Sequence, residues 1–300
     1  MALATPLGYN GRHERPSVSA EIYPDFFPCF TCDRVGRLTV LVVSNQKGGV
    51  GKTTTAISLG AALVEHGERV LLVDLDPQAN ATSGLGISKA PPNPVYGLIL
   101  KEQPLDDSIV ATALPGLDIV PSGPDMAGAE VELVSLMARE YRLKRALRPG
   151  ARYDTILIDC PPSLGLLTIN ALAAGDAVVI PVQCEYYALE GLAQLLSTID
   201  AVRSRLNDHL EVLAIVLTME DRRNRLSVQV TEEVRRHFPH LVADARIPRA
   251  VRLAEAPSHG LPISIYDRRS SAAQAYDDLA RELSARLKSR SPIALGGAIA

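Results

Sequence analysis

Two lysines five positions apart in a glycine-rich run, and three aspartates that close apolar runs, are the residues of this 300-residue chain whose spacing can do chemistry. Residues 47–54 read Lys47-Gly48-Gly49-Val50-Gly51-Lys52-Thr53-Thr54. Gly48, Gly49 and Gly51 put no Cβ in the way of inward-pointing backbone amides, so the loop can cradle an anion at the start of a helix. In such a loop Lys52 reaches the β- and γ-phosphates of a nucleotide, and the Thr53 hydroxyl ligates magnesium. Asp74 and Asp76 stand two apart, so on a strand they point the same way. At the C-terminal end of that strand they face the crevice where open α/β sheets bind ligands. Asp159 ends the run Thr155-Ile156-Leu157-Ile158-Asp159, and Cys160-Pro161-Pro162-Ser163 follows it; the paired prolines make a rigid exit from a strand.

The elements that must position these groups alternate between two periods. Leu38–Val43 is an unbroken apolar, β-branched-rich run, as expected of a strand buried on both faces. Thr53–His66 carries Ala56, Leu59, Leu63 and Val64 at helical spacing, and Gly67 can end that helix. Further strands are predicted from Val70, over Leu117–Val120, Thr155–Asp159, Ala177–Val182 and Leu213–Met219. Helical spacing is read over Val95–Leu100, Met126–Arg148 and Leu189–Leu206. A last helix, capped by Ser270 or Ser271, shows Tyr276, Leu279, Ala280, Leu283 and Leu287 as one stripe. The alternation predicts an α/β fold: a mostly parallel twisted sheet flanked by helices on both faces, with right-handed connections.

Composition narrows the function. No apolar run approaches the ~20 residues that span a bilayer, and no continuous apolar segment near the N-terminus reads as a secretory signal. The net charge of −3 means that any contact with nucleic acid must come from a local patch. Four cysteines make no disulfide framework in a chain of this length. Cys29 and Cys32 form one C-x-x-C pair, two ligands where a structural zinc site wants four. Of 25 arginines and six lysines, two lysines sit in the glycine loop. Residues 1–37 have no sustained period and are expected to be a disordered extension, with an alternative start of translation near Val35. Ala90–Pro94 reads as a proline-rich turn, and residues 289–300 as a flexible tail. The six histidines have no metal-binding spacing, and His66, His209, His237, His240 and His259 read as surface or packing residues.

The loop departs from the pattern G-x-x-x-x-G-K-[ST] because Gln46 stands at the first glycine and Lys47 follows it. With that second lysine it resembles the deviant P-loop of the ParA/MinD ATPases. The DLDPQ run at residues 74–78, the IDCPPS run at 158–163 and the IPRAVRLAEAPSHG run at 247–260 resemble the ParA/Soj branch. The resemblance covers about residues 38–287 and marks 38–288 as a P-loop ATPase domain that uses ATP and Mg2+. It implies that Lys47 reaches across an ATP-sandwich homodimer to the nucleotide held by the partner. By the same resemblance Asp76 orients the attacking water, Asp74 helps hold the magnesium shell, and Asp159 binds magnesium through water. Asp74 has a second reading, as a buried carboxylate that caps a nearby helix. Cys160 reads as a small buried residue. Pro248 belongs to the segment that borders the adenine, and Ala250 stands where asparagine is usual.

The resemblance further implies a DNA-segregation switch, cytoplasmic and nucleoid-associated. Lys47, Lys52 and Asp76 carry slow ATP hydrolysis. A ParB-type centromere-binding partner stimulates it. Arg223 and Arg252 match arginines implicated in binding double-stranded DNA without sequence preference, and Arg225 and Arg249 extend the patch. Leu261 replaces a common lysine, and Arg225 can restore that charge. Two alternatives carry weight: a MinD-like membrane-cycling regulator, and a ParA-like protein that positions another cargo. A metal-cluster carrier of the same superfamily would have to rely on Cys29 and Cys32. The terminal helix lacks the basic face and exposed bulky stripe of a membrane anchor, so stable membrane association is not expected.

Overall fold

The computed structural model describes residues 38–87, 94–148, 152–185, 188–221 and 223–289. The expectations for residues 1–37, for the Cys29/Cys32 pair, for most of the proline-rich turn and for the tail after Ser289 lie outside the described residues. Among the described residues seven strands form one sheet: β1 Thr39–Val43, β2 Val70–Asp74, β3 Val110–Ala111, β4 Leu117–Val120, β5 Thr155–Asp159, β6 Ala177–Gln183 and β7 Glu211–Thr218. Their spatial order is β3-β4-β2-β5-β1-β6-β7. Every pairing is parallel except β3 with β4, an antiparallel edge of two residues.

The apolar runs are continuous because both faces of the sheet are covered. Val40, Val42, Leu71, Val73, Ile156 and Ile158 enter one core. Leu41, Val43, Val70, Leu72 and Leu157 enter the other. On the first face lie Leu167 and Leu172 of the Leu166–Ala174 helix, and Leu192, Leu195 and Ile199 of the Ala188–Arg205 helix. On the second, the Lys52–Glu65 helix packs against the terminal helix Ser271–Lys288. The terminal stripe is as predicted: Tyr276, Leu279, Ala280 and Leu283 are buried. Ser270 supplies its cap, accepting a hydrogen bond from the Ala273 amide at 3.2 Å.

The chain runs outward from β1 in both directions, with β2 and β4 on one side and β6 and β7 on the other. This reversal of strand order leaves a crevice at the C-terminal ends of the central strands. Register places Asp74 of β2 opposite Asp159 of β5, and Val43 of β1 on the other side of Asp159. The three strand ends that carry the loop and the carboxylates are therefore adjacent.

One predicted element is corrected. Met126–Arg148 is not a single helix. It divides into a helix at Met126–Val134, a 3-10 turn at Arg139–Tyr141 and a short helix at Arg142–Leu147. Ala138 takes a left-handed conformation, φ 48°, at the break. The buried face of the first piece is Met126, Ala129 and Leu133, while Val131 is 77% exposed. The break is stabilised from elsewhere: buried Asn170 donates to the Arg139 carbonyl at 2.8 Å and accepts from the Leu143 amide at 3.2 Å. Polar groups from a distant helix replace the bonds that a continuous helix would have made internally. Leu133→Ala is expected to cost about 2–5 kcal/mol in chemical denaturation, and Val131→Ala no more than about 0.5 kcal/mol. Comparable losses for the two would restore the uninterrupted helix.

Candidate active site

The glycine loop, residues 44–51, leaves the end of β1 and turns into the Lys52–Glu65 helix. Gly49 and Gly51 have φ of 77° and 86°, a left-handed conformation that residues with a Cβ rarely adopt. At Gly48 and Gly49 a Cβ would meet nothing within 4 Å, so both face open space. The first turn of the helix has no acidic residue and Gly51 offers no side-chain cap, which leaves its amides for an anion. The loop is tied down at both ends. Asn45 donates to the Pro181 carbonyl on β6 at 2.7 Å and accepts from the Lys47 amide at 3.0 Å. Thr218, at the end of β7, donates its hydroxyl to the Val50 carbonyl at 2.8 Å.

Lys52 is buried, and its ammonium donates to the Lys47 carbonyl at 3.1 Å. Burial pushes its pKa down, against the opposing pull of Asp159, Cys160 and Asp76. Thr53 and Thr54 are partly buried beside it. Asp159 is fully buried, and neither carboxylate oxygen makes a hydrogen bond of good geometry. Burial first, and then the Asp74 carboxylate, push the Asp159 pKa well above the usual range; the nearby Thr53 hydroxyl and the Lys52 ammonium act the other way. A buried carboxylate pair with one lysine is short of positive charge. Its orphaned oxygens, next to a threonine hydroxyl and an open amide cradle, fit a divalent cation carrying phosphate.

Asp74 has its oxygens occupied. Oδ2 accepts from the Thr82 amide at 2.9 Å and from the Thr82 hydroxyl at 2.7 Å, and Oδ1 accepts from the Asp76 amide at 3.1 Å. Burial pushes its pKa up to about 6, with the Thr82 bonds opposing. This is the helix-capping geometry: Asp74 fastens the short helix Asn80–Gly84. The same threonine hydroxyl accepts from the Ser122 amide at 2.9 Å, joining that segment to the end of β4. Asp76 is 6% exposed and holds a turn by accepting from the Gln78 amide at 3.0 Å. Cys160 is buried, and burial pushes its thiol pKa up.

Beside the loop lies a cavity of about 530 Å³, lined by Gly51, Thr54, Thr218, Pro248, Ala250 and Tyr276 among others. Its size is within the usual range for small-molecule pockets. The 247–250 segment that forms one wall is held to the end of β7, because the Glu220 amide donates to the Ile247 carbonyl at 3.1 Å and the Ile247 amide to the Leu217 carbonyl at 3.0 Å.

The remaining candidate residues are on the surface. Lys47 donates to Glu185, just after β6, at 2.7 Å, with both side chains partly exposed. Arg223, Arg225 and Arg249 are exposed, and none of the three forms an ion pair among the described residues. Arg252 is already engaged by Glu255 at 2.9 Å and Asp267 at 3.6 Å, and lies over the Tyr266 ring. Sequence reasoning missed Asn45, Glu185 and Thr218. Thr218 is 168 positions from its partner, and no local pattern could have linked them.

A family model described as an AAA domain matches residues 38–212. The sporulation initiation inhibitor protein Soj of Bacillus subtilis is 56% identical over 248 residues, 82% of this chain and 98% of that one. The chromosome partitioning protein ParA of Caulobacter vibrioides is 53% identical over 257 residues, 84% of this chain and 96% of that one. Among solved structures, the cobyrinic acid a,c-diamide synthase of Mycobacterium smegmatis with bound ADP and magnesium is 40% identical, with a TM-score of 0.74 over 84% of this chain and 96% of that one. With this similarity along nearly the whole described region, the chain belongs to the Soj/ParA family of chromosome-partitioning ATPases.

Proposed function

We propose that the protein is a partitioning switch in which Mg-ATP closes a homodimer, the closed dimer holds DNA without sequence preference, and hydrolysis reopens it. The observation that carries this reading is the meeting of a buried lysine, an orphaned buried carboxylate and an open amide cradle at the C-terminal ends of the central strands. Magnesium, when bound, would supply positive charge to the phosphates, and Asp159 and the Thr53 hydroxyl would hold it. The loop amides and Lys52 take the charge that develops on the transferred group. Asp76 orients water, and Asp74 holds the Asn80–Gly84 helix beside it. Pro248 and the cavity wall take the base. With no strong general base in this set, turnover is slow until a ParB-type partner completes the site.

Lys47 is the residue that couples fuel to assembly. In the single chain it is neutralised by Glu185, a partly exposed ion pair of the kind that contributes about 0–1 kcal/mol. A polyphosphate presented by a second protomer outcompetes so weak a partner. DNA contact falls to Arg223, Arg225, Arg249 and Arg252, phosphate contacts that place the protein along the nucleoid without reading bases.

Three measurements test this reading. ATP affinity in the wild type should fall by on the order of tenfold, about 1.4 kcal/mol, when magnesium is chelated, and in Asp159→Asn it should no longer respond to magnesium; an equal response in both removes Asp159 from the metal site. In sedimentation velocity with ATP, Lys47→Ala should stay monomeric while Glu185→Gln dimerises up to about fivefold more readily; dimers of Lys47→Ala would sink the cross-protomer role. DNA co-sedimentation should require ATP rather than ADP, persist longer in Asp76→Ala, and weaken steeply with salt. Arg223→Glu and Arg252→Glu should abolish retention with ATP binding intact. Arg223 is the cleaner test, since it gives up no ion pair among the described residues; retention at low salt in both variants moves the DNA surface elsewhere.

A further inference from the structure

Of the four candidate DNA arginines, Arg252 alone is held by acids among the described residues. Its Nη1 donates to Glu255 Oε2 at 2.9 Å, and its Nε lies 3.6 Å from Asp267 Oδ2. The Tyr266 hydroxyl donates to the same Glu255 oxygen at 3.1 Å. The Arg252 guanidinium lies 6.0 Å from the centre of the Tyr266 ring, and His259 stacks on that ring at 4.8 Å. One positive charge is thus met by two negative ones. A phosphate that approaches Arg252 faces both carboxylates, and must displace one of them to reach the guanidinium.

This cluster touches the nucleotide site from two sides. Arg252 and Glu255 belong to one short helix, Val251–Glu255, whose Val251, Leu253 and Ala254 line the cavity beside the glycine loop. The turn that follows, Ala256–His259, ends at Gly260. There the chain lies against Gly86, so closely that a Cβ on Gly260 would come within 2.7 Å of Gly86 Cα. Gly86 stands two residues after the Asn80–Gly84 helix, which Asp74 fastens through Thr82. The segment tied to the site's carboxylates therefore meets, backbone on backbone, the segment that carries the cluster.

We propose that Glu255 and Asp267 form a latch on Arg252 that keeps it from DNA in the nucleotide-free chain and opens when nucleotide fills the site. The inference rests on the reading that Arg252 contacts DNA. In the latched state the charge of the arginine is satisfied by its own chain. A base in the cavity acts on the Val251–Glu255 helix directly, and the Asn80–Gly84 segment acts on the turn behind it through the Gly86–Gly260 contact. Both acids are partly exposed, and ion pairs of this kind are weak. The latch therefore sets a bias that a bound ligand can reverse.

Titration of the full chain with a double-stranded DNA fragment of arbitrary sequence, at low salt with ATP and with ADP, tests the assignment. Glu255→Gln keeps the shape of the side chain and removes its charge. It should tighten DNA binding up to about fivefold with ADP and less with ATP, so that the preference for ATP falls. Asp267→Asn should act the same way, and both should leave ATP affinity unchanged. Loss of any acid favours an anion in general, so each change is repeated in Arg252→Ala. There the gain should vanish, because no arginine is left to release. An equal gain with and without Arg252 would reduce the effect to general charge and overturn the latch. Unchanged or weaker binding in Glu255→Gln would overturn it as well. Arg252→Ala that binds DNA as the wild type does would instead sink the reading beneath it, so the two failures are told apart.

Discussion

The cost of burying like charges together governs this structure. Asp74 and Asp159 face each other across adjacent parallel strands, both buried, with Asp76 two residues on and, among the described residues, Lys52 as the buried cation nearby. Water would ionise all of them; the interior pushes the pKa of both paired carboxylates up and that of the lysine down. Asp74 is relieved by three hydrogen bonds from the chain itself. Asp159 has only the nearby Thr53 hydroxyl and Lys52 ammonium to offset its burial, and neither of its oxygens makes a hydrogen bond of good geometry. A site with one satisfied carboxylate and one bare one is asymmetric by construction. The bare one is where a multivalent cation gains most, and the satisfied one transmits position into the Asn80–Gly84 helix and, through Thr82, to the end of β4.

The rest of the molecule holds that edge still. Both faces of the sheet are filled, so the strand ends cannot slide without opening a core. Asn45 and Thr218 anchor the glycine loop to β6 and β7, and the 247–250 segment is bonded to the end of β7 in turn. Loop, 247–250 segment and last strand are therefore tied together by hydrogen bonds. Lys47 is the exception. Among the described residues its side chain is tied by a partly exposed ion pair with Glu185, of the kind that contributes about 0–1 kcal/mol.

The fold and much of the site could be read directly from residue patterns. The continuous apolar runs at residues 38–43 and 155–159 mark strands buried on both faces, and the stripe from Tyr276 to Leu283 marks a helix packed on one side, because burial on two faces or one imposes those periods. The glycine loop was legible because backbone amides can close on an anion only where side chains are missing. The failure at 126–148 has the opposite cause. Its local spacing is helical, and the break at Ala138 is imposed by Asn170, a residue with no pattern of its own.

Residue order alone therefore determined the sheet-forming segments, the phosphate cradle and the kinship with partitioning ATPases, since each depends on short-range spacing and the types of side chain present. Tertiary structure decided which carboxylate is bare and which is capped, and which arginines are free and which are paired. Those outcomes depend on hydrogen bonds and burial between residues up to 221 positions apart, as between Thr55 and Tyr276. Distance in space sets them, and linear spacing carries no record of it.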